Sequence, residues 1–148
     1  MIKRHRADFE FTVFSDTPVT PLSKPLNKCK AALITTGGLH LRTDEPFDLN
    51  IMDGDTSFRK IPGNVQAGDL NISHNWYNHK FIDADLNCVF PIDRMREYVK
   101  DGKIGSLSDD HYSFMGHIFK TDGLLKSSAD LGRILKESGV DIAFLTPT

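Results

Sequence analysis

Ala31-Ala32-Leu33-Ile34-Thr35-Thr36-Gly37-Gly38 is the stretch that decides the fold, a short apolar and β-branched run that stops at two glycines. A strand covered on both faces needs no polar alternation, so this run reads as a buried inner strand feeding a tight turn. Val140 to Leu145 has the same character at the other end of the chain. Between them, Ile92, Met95, Tyr98 and Val99 recur three and four apart, with Asp93 early, Lys100 late and Gly102 placed to stop the turn. That spacing predicts a helix over Ile92 to Lys100. Leu124, Leu131, Ile134 and Leu135 make a second apolar stripe. Ser127 with Asp130 offers a capping box and Gly139 an end, which predicts a helix over Ser128 to Ser138. Strands alternating with helices imply a single α/β domain, with a mainly parallel sheet and flanking helices.

Working outward, residues 1–28 carry Pro18, Pro21 and Pro25 and read as an N-terminal arm, whose one strand-like patch is Phe9 to Phe14. Residues 29–148 form the domain. After the first inner strand come some thirty residues rich in Asp, Gly and Pro with no sustained period, read as a long polar loop bearing a site. Leu70, Ile72 and His74 alternate with polar neighbours, predicting a strand over Asp69 to His74, and the polar turn Asn75 to Asn78 follows. Tyr112 to Ile118 reads equally as strand or turn.

Composition excludes several functions. A formal net charge of −2 supplies no basic face for nucleic acid. The longest apolar runs, Ala31 to Ile34 and Ile142 to Leu145, fall far short of the roughly 20 residues that span a bilayer. Lys3, Arg4, His5 and Arg6 open the chain like a signal peptide, but Asp8, Glu10 and Asp16 interrupt the apolar stretch that should follow, so a cytoplasmic protein is expected. Cys29 and Cys88 are far apart and make no CxxC pair. They read as small reduced apolar side chains, with a single disulfide as the lesser alternative.

Three local patterns carry candidate chemistry. Thr35-Thr36-Gly37-Gly38-Leu39-His40 puts glycines directly after a parallel strand, where a backbone can approach a ligand; a turn needing positive φ would look the same. Gly54, Asp55, Thr56, Ser57 and Arg59 form a polar cluster suited to a carboxylate or an amine, or simply a solvated Asx turn. His74, His79, Asp83 and Asp85 are ligand types that zinc or iron accepts, yet their spacing matches no metal motif and hydrogen-bonded loop residues are the plainer reading. His111 and His117 read as surface or packing residues. The chain shows neither a GxSxG elbow nor a catalytic Cys-His spacing.

Taken in order, Thr35-Thr36-Gly37-Gly38-Leu39-His40, Asp44-Glu45-Pro46-Phe47-Asp48 and the run from Gly54 through Asp55, Thr56, Ser57, Phe58, Arg59, Lys60 and Ile61 to Pro62 resemble the glycine/sarcosine/betaine/D-proline reductase selenoprotein B family. Ile72-Ser73-His74, Phe90-Pro91-Ile92-Asp93-Arg94, Ile104-Gly105-Ser106-Leu107 and His111-Tyr112-Ser113-Phe114-Met115-Gly116 extend the likeness over residues 30–148. The resemblance implies a subunit of an anaerobic amino-acid reductase. In such enzymes a selenocysteine, or a cysteine replacing it, attacks the substrate carbon while the pyruvoyl group of a partner subunit holds the substrate amine. The selenol is then regenerated through a selenide-sulfide or disulfide exchange. Selenium suits the task because more of it is the nucleophilic anion at neutral pH.

The resemblance places a small amino acid against Gly37, Gly38, His40, Asp55, Ser57, Arg59 and His74, with no metal and with the catalytic residue expected after Thr148. In the family the redox residue lies in a loop soon after a strand like Val140 to Leu145, whereas this chain stops at Thr146-Pro147-Thr148. A selenocysteine codon read as a stop is the expected cause, leaving a domain without its C-terminal unit and a sheet face that a second copy would cover. The alternative is a complete, non-catalytic small-ligand-binding or scaffold subunit. A metal-dependent hydrolase using His74, His79 and Asp83 is a third reading.

Overall fold

The computed structural model describes residues 13, 15–17, 19–74 and 77–148. Apart from Val13, the strand expected at Phe9 to Phe14 lies outside the described residues, as does part of the turn Asn75 to Asn78. β1 (Lys30–Thr35) is the centre of the main sheet, and Ala31, Ala32 and Leu33 are each buried there. Both faces of β1 are covered, which explains its unbroken apolar run.

Strand β7 (Ile142–Thr146) runs parallel to β1 on one side, in register from Ala31 opposite Ile142 to Thr35 opposite Thr146. On the other side β5 (Ser106–Leu107) matches the start of β1 and β6 (Asp110–Phe114) matches its end, both parallel. Ala31 is opposite both Leu107 and Ile142, and Ile34 opposite both Tyr112 and Leu145. It follows that β5 and β6 are two halves of one interrupted strand. A side chain completes the ladder where they part: the Leu33 amide donates to His111 Nδ1 at 3.0 Å, while Ser108 N–H donates to the Ala31 carbonyl at 2.8 Å.

β3 (Phe58–Pro62) closes the far edge antiparallel to β6. β2 (Leu39–Leu41) and β4 (Leu70–Ile72) make a separate antiparallel ribbon. The described residues also form a single helical turn α1 (Lys80–Ala84) and the longer helices α2 (Ile92–Lys100) and α3 (Asp122–Glu137). The two longer helices cover opposite faces of the sheet. Ala31 and Leu33 pack with Phe90, Ile92, Met95 and Ile104 on the α2 side. Ile34 points the other way, into Tyr112, Phe114, Leu124, Leu131, Ile134 and Leu135 on the α3 side. Successive strand residues face opposite layers, so one strand feeds two cores.

The α/β class and the helix Ile92–Lys100 agree with the sequence reading, and Gly102 (φ +69°) follows that helix in the left-handed region. The sheet is mainly parallel, as expected, with β3 as an antiparallel edge strand. Other details differ. The thirty-residue loop contains β2 and β3, and residues 42–57 are its longest stretch without helix or strand. Helix α3 starts at Asp122, ahead of the expected Ser128; its N-cap Thr121 makes no side-chain cap, and Ser127 Oγ donates instead to the Thr56 carbonyl. The stretch Tyr112 to Ile118 resolves into strand as far as Phe114 and turn beyond it. Both cysteines are free thiols. Cys29 is buried as expected, whereas Cys88 is exposed at the end of a 3-10 turn.

Candidate functional site

Parallel sheets address ligands at the carboxyl ends of their strands, and here β1, β6 and β7 all end on one edge. Thr35 and Thr146 fasten that edge together, since both hydroxyls donate to the Val89 carbonyl, at 2.8 and 2.7 Å. Gly37 and Gly38 cross over the strand ends. The Gly37 amide donates to Thr35 Oγ1 (3.0 Å) and the Gly38 amide to the Phe114 carbonyl (2.9 Å), so both amides serve the fold. Gly38 sits at φ +68°, and a Cβ there would press on the Ser73 backbone, which is why the position needs glycine.

The Gly38 carbonyl accepts from the Ser73 amide at 2.8 Å, and this bond brings His74 to the edge. His74 is buried, with Tyr77 packed edge-on against its ring (centroids 4.6 Å apart) and His117 at 6.3 Å. Tyr77 Oη donates to the Gly37 carbonyl at 2.7 Å, and His79 Nε2 donates to the carbonyl of His74 itself, also at 2.7 Å. Burial pushes the His74 imidazole below its ordinary pKa, and the neighbouring His117 and His79 push it the same way. Burial likewise pushes the Tyr77 phenol up to about 12, so Tyr77 stays a neutral donor at neutral pH.

Asp55, Ser57 and Arg59 form a second group, a clasp on the loop before β3. One Asp55 oxygen accepts from the amide and hydroxyl of Ser57, and the other accepts from the Asp48 amide at 3.0 Å. Burial alone would raise the Asp55 pKa, but these hydrogen bonds and the nearby Arg59 outweigh it and hold the carboxyl below its usual range. Arg59 donates to the carbonyls of Glu45 (2.8 Å) and Pro46 (3.1 Å) and to Ser57 Oγ (2.7 Å), with its guanidinium 4.3 Å above the Phe47 ring. One side chain therefore ties residues 45–57 to β3. Arg59→Ala is expected to release the loop, raising amide exchange at Asp48 and Ser57 by at least about tenfold while leaving α2 protected, because roughly 2 kcal/mol of charge-assisted bonding is lost locally. Unchanged exchange there would show that the clasp is not what holds the loop.

His40 lies between the groups and is buried. Its Nδ1 donates to the Leu41 carbonyl (2.8 Å), leaving Nε2 to accept from Ser73 Oγ (2.9 Å), and its ring packs edge-on against Phe47. The structure thus gathers Gly37, Gly38 and His74 at the edge, gathers Asp55, Ser57 and Arg59 in the clasp, and uses His40 as the bridge. A cleft of about 550 Å³ opens beside the clasp, between Asp55, Thr56 and Ser57 on the loop and Lys126 and Asp130 on α3. Sequence reasoning missed Tyr77 and His117. His117 does carry a readable signal, for it follows Gly116 just past the end of β6, where a parallel strand delivers its next side chains. Among the described residues, no group of three or more His, Cys, Asp and Glu side chains is arranged to hold a metal ion.

Fold and edge together define an α/β domain with its polar groups gathered where parallel sheets meet small ligands. The chain belongs to the glycine/sarcosine/betaine reductase selenoprotein B family, whose family model matches residues 2–148. It is similar to the D-proline reductase subunit gamma of Acetoanaerobium sticklandii, 38% identical over 128 residues that cover 86% of this chain and 52% of that protein. A glycine reductase complex component B subunit gamma from Carboxydothermus hydrogenoformans is 30% identical over 139 residues, 91% of this chain and 32% of that protein. A sarcosine reductase complex component B subunit beta from Peptoclostridium acidaminophilum is 26% identical over 159 aligned positions, 99% of this chain and 34% of that protein. The chain spans about half the length of the first and about one third of the other two. No solved structure gives a significant match.

Proposed function

We propose that this chain is the part of a selenoprotein B-type reductase subunit that presents a small amino acid, such as glycine, betaine, sarcosine or D-proline, for reductive cleavage. The family match along nearly the whole chain carries this reading. The carboxyl-edge group Gly37, Gly38 and His74 addresses the substrate. The Asp55–Ser57–Arg59 clasp, braced through His40, holds the adjoining loop at the site.

The redox nucleophile, a selenocysteine or its cysteine replacement, belongs in this reading to residues beyond 148, and the pyruvoyl group to a partner subunit. The two thiols of this chain differ in placement: Cys29 is buried and its Sγ–H points at the Lys24 and Pro25 carbonyls, while Cys88 is the accessible one. A cytoplasmic location accords with the redox chemistry, and among the described residues no helix is long and apolar enough to cross a membrane. Dithiol-driven reduction of one of the four amino acids by the full-length subunit with its partner tests the reading; ligand binding with no reduction would favour the non-catalytic binding subunit.

Self-association is part of the proposal. β7 lies at the sheet edge with Phe144 47% and Leu145 67% exposed, and Phe144 borders an apolar cavity of about 530 Å³ shared with Leu26, Met95, Tyr98 and Ile142. A two-fold contact would use this patch on both copies. Phe144→Asp is expected to weaken the dimer by at least about tenfold in sedimentation, and Asp44→Ala to leave it intact. A monomer at tens of micromolar would remove this part of the proposal.

A further inference from the structure

Imidazoles crowd the carboxyl edge. His117 faces the buried His74 with ring centroids 6.3 Å apart, and His79 is anchored to the carbonyl of His74. Tyr77 lies against both His74 and His79, at 4.6 and 4.7 Å between centroids. Gly116 packs close to this pair: it sits at φ +83°, and a Cβ there would press on the Thr36 carbonyl oxygen and stand 3.2 Å from His74 Nε2. A glycine in the left-handed region thus lies directly beside a ring nitrogen at the edge where parallel sheets receive ligands.

We infer that the carboxylate of the amino-acid ligand binds between His74 and His117 and that its binding draws a proton onto this pair. The identity of the ligand rests on the reductase reading above; the coupling rests on the cluster. Among the described residues, His117 and His79 act on His74, while Tyr77 packs on its ring and feels Asp83 in turn. Burial opposes protonation of His74 most, and His117 and His79 oppose it in the same sense. A carboxylate placed between two imidazoles reverses that balance, because an opposite charge within a few ångströms favours the protonated ring. Ligand and proton then bind together, so the carboxylate is held more tightly in mild acid.

The test follows the histidine ring signals of this chain through a pH titration in sodium acetate and, at equal ionic strength, in sodium chloride. Acetate is expected to raise the His74 midpoint by about 1 unit and to bind roughly two- to fivefold more tightly at pH 5.5 than at pH 7.5. The core imidazole His111 should titrate identically in both salts. In His117→Gln the acetate-induced rise at His74 should fall to less than half. Calorimetry of acetate binding to the unaltered chain in two buffers of different ionisation enthalpy counts the protons directly and does not depend on the variant folding. A His74 midpoint unmoved by acetate, the same rise in His117→Gln, or no proton uptake would each overturn the inference. A full-length protein that reduces its amino acid while His74 ignores acetate would overturn this site alone. Acetate-linked proton uptake in a protein with no reductase activity would uphold the site and remove the reductase reading.

Discussion

Acidifying from pH 7 to pH 4 is expected to remove about 3 kcal/mol of folding free energy through His111 alone. The imidazole is fully buried, and its Nδ1 accepts the Leu33 amide where β5 and β6 part. Protonation at Nδ1 would set one N–H against another and place a charge beside Phe90 in the core. Nε2 has no hydrogen-bond partner among the described residues that would stabilise the cation. Burial therefore pushes the pKa down to about 4, Arg96 adds to the shift, and Asp110 opposes it only in part.

The unfolded chain protonates this histidine near 6.5, so between about 6.5 and 4 it binds more protons than the folded chain and acid favours unfolding. His74 contributes with the same sign. The depressed carboxyl of Asp55 acts lower, where stability is lost as pH falls through its folded value. Urea unfolding at several pH values checks this. The loss between pH 6.5 and 4 should shrink by about 3 kcal/mol in His111→Asn, whatever that variant costs at pH 7. An equal pH dependence in the two proteins would mean that His111 is not the group that acid attacks.

Residues 1–148, purified and combined with the proposed pyruvoyl-bearing partner and a dithiol, are expected to show no amino-acid reductase turnover. The proposed chemistry needs a selenol or thiol at the substrate carbon, and Cys29 is closed inside the sheet's lower end, with its Sγ–H turned onto the Lys24 and Pro25 carbonyls. Cys88 is exposed, and the next residue, Val89, supplies the carbonyl that Thr35 and Thr146 share. That makes Cys88→Ser the informative control. Turnover abolished by Cys88→Ser would move the nucleophile into this chain, and turnover that survives both Cys29→Ser and Cys88→Ser would refute thiol or selenol chemistry altogether.

The elements legible in the sequence are those whose side chains repeat one environment. β1 and β7 carry continuous apolar runs, and α2 has its stripe, its charges and its stopping glycine in order. β3 was hidden because Phe58-Arg59-Lys60-Ile61-Pro62 is an edge strand with two adjacent cations and a proline at its end, which reads as loop. β2 is three residues long, too short to show a period, whereas the alternation that predicts a strand over Asp69 to His74 falls on β4, itself confined to Leu70–Ile72. The start of α3 was obscured by Gly123 and by an N-cap without a side-chain bond, while Ser127, which looked like a cap, reaches across to the 51–57 loop. His40 and His111 illustrate the same limit at the level of chemistry. Both imidazoles complete hydrogen bonding between strands, a role that depends on neighbours 33 and 78 residues away. The carboxyl-edge position of His74 depends likewise on the Gly38–Ser73 bond, which no local pattern reveals.

The most direct measurement is the steady-state reduction of glycine, betaine, sarcosine and D-proline by the full-length subunit with its partner, comparing the unaltered protein with His74→Gln and Asp44→Ala. The proposed function predicts turnover of at least one of these amino acids, a KM raised by about tenfold or more in His74→Gln, and unaltered kinetics in Asp44→Ala. Turnover with an unchanged KM and kcat in His74→Gln would contradict a substrate site at the carboxyl edge, and reduction of none of the four would contradict the reductase reading itself.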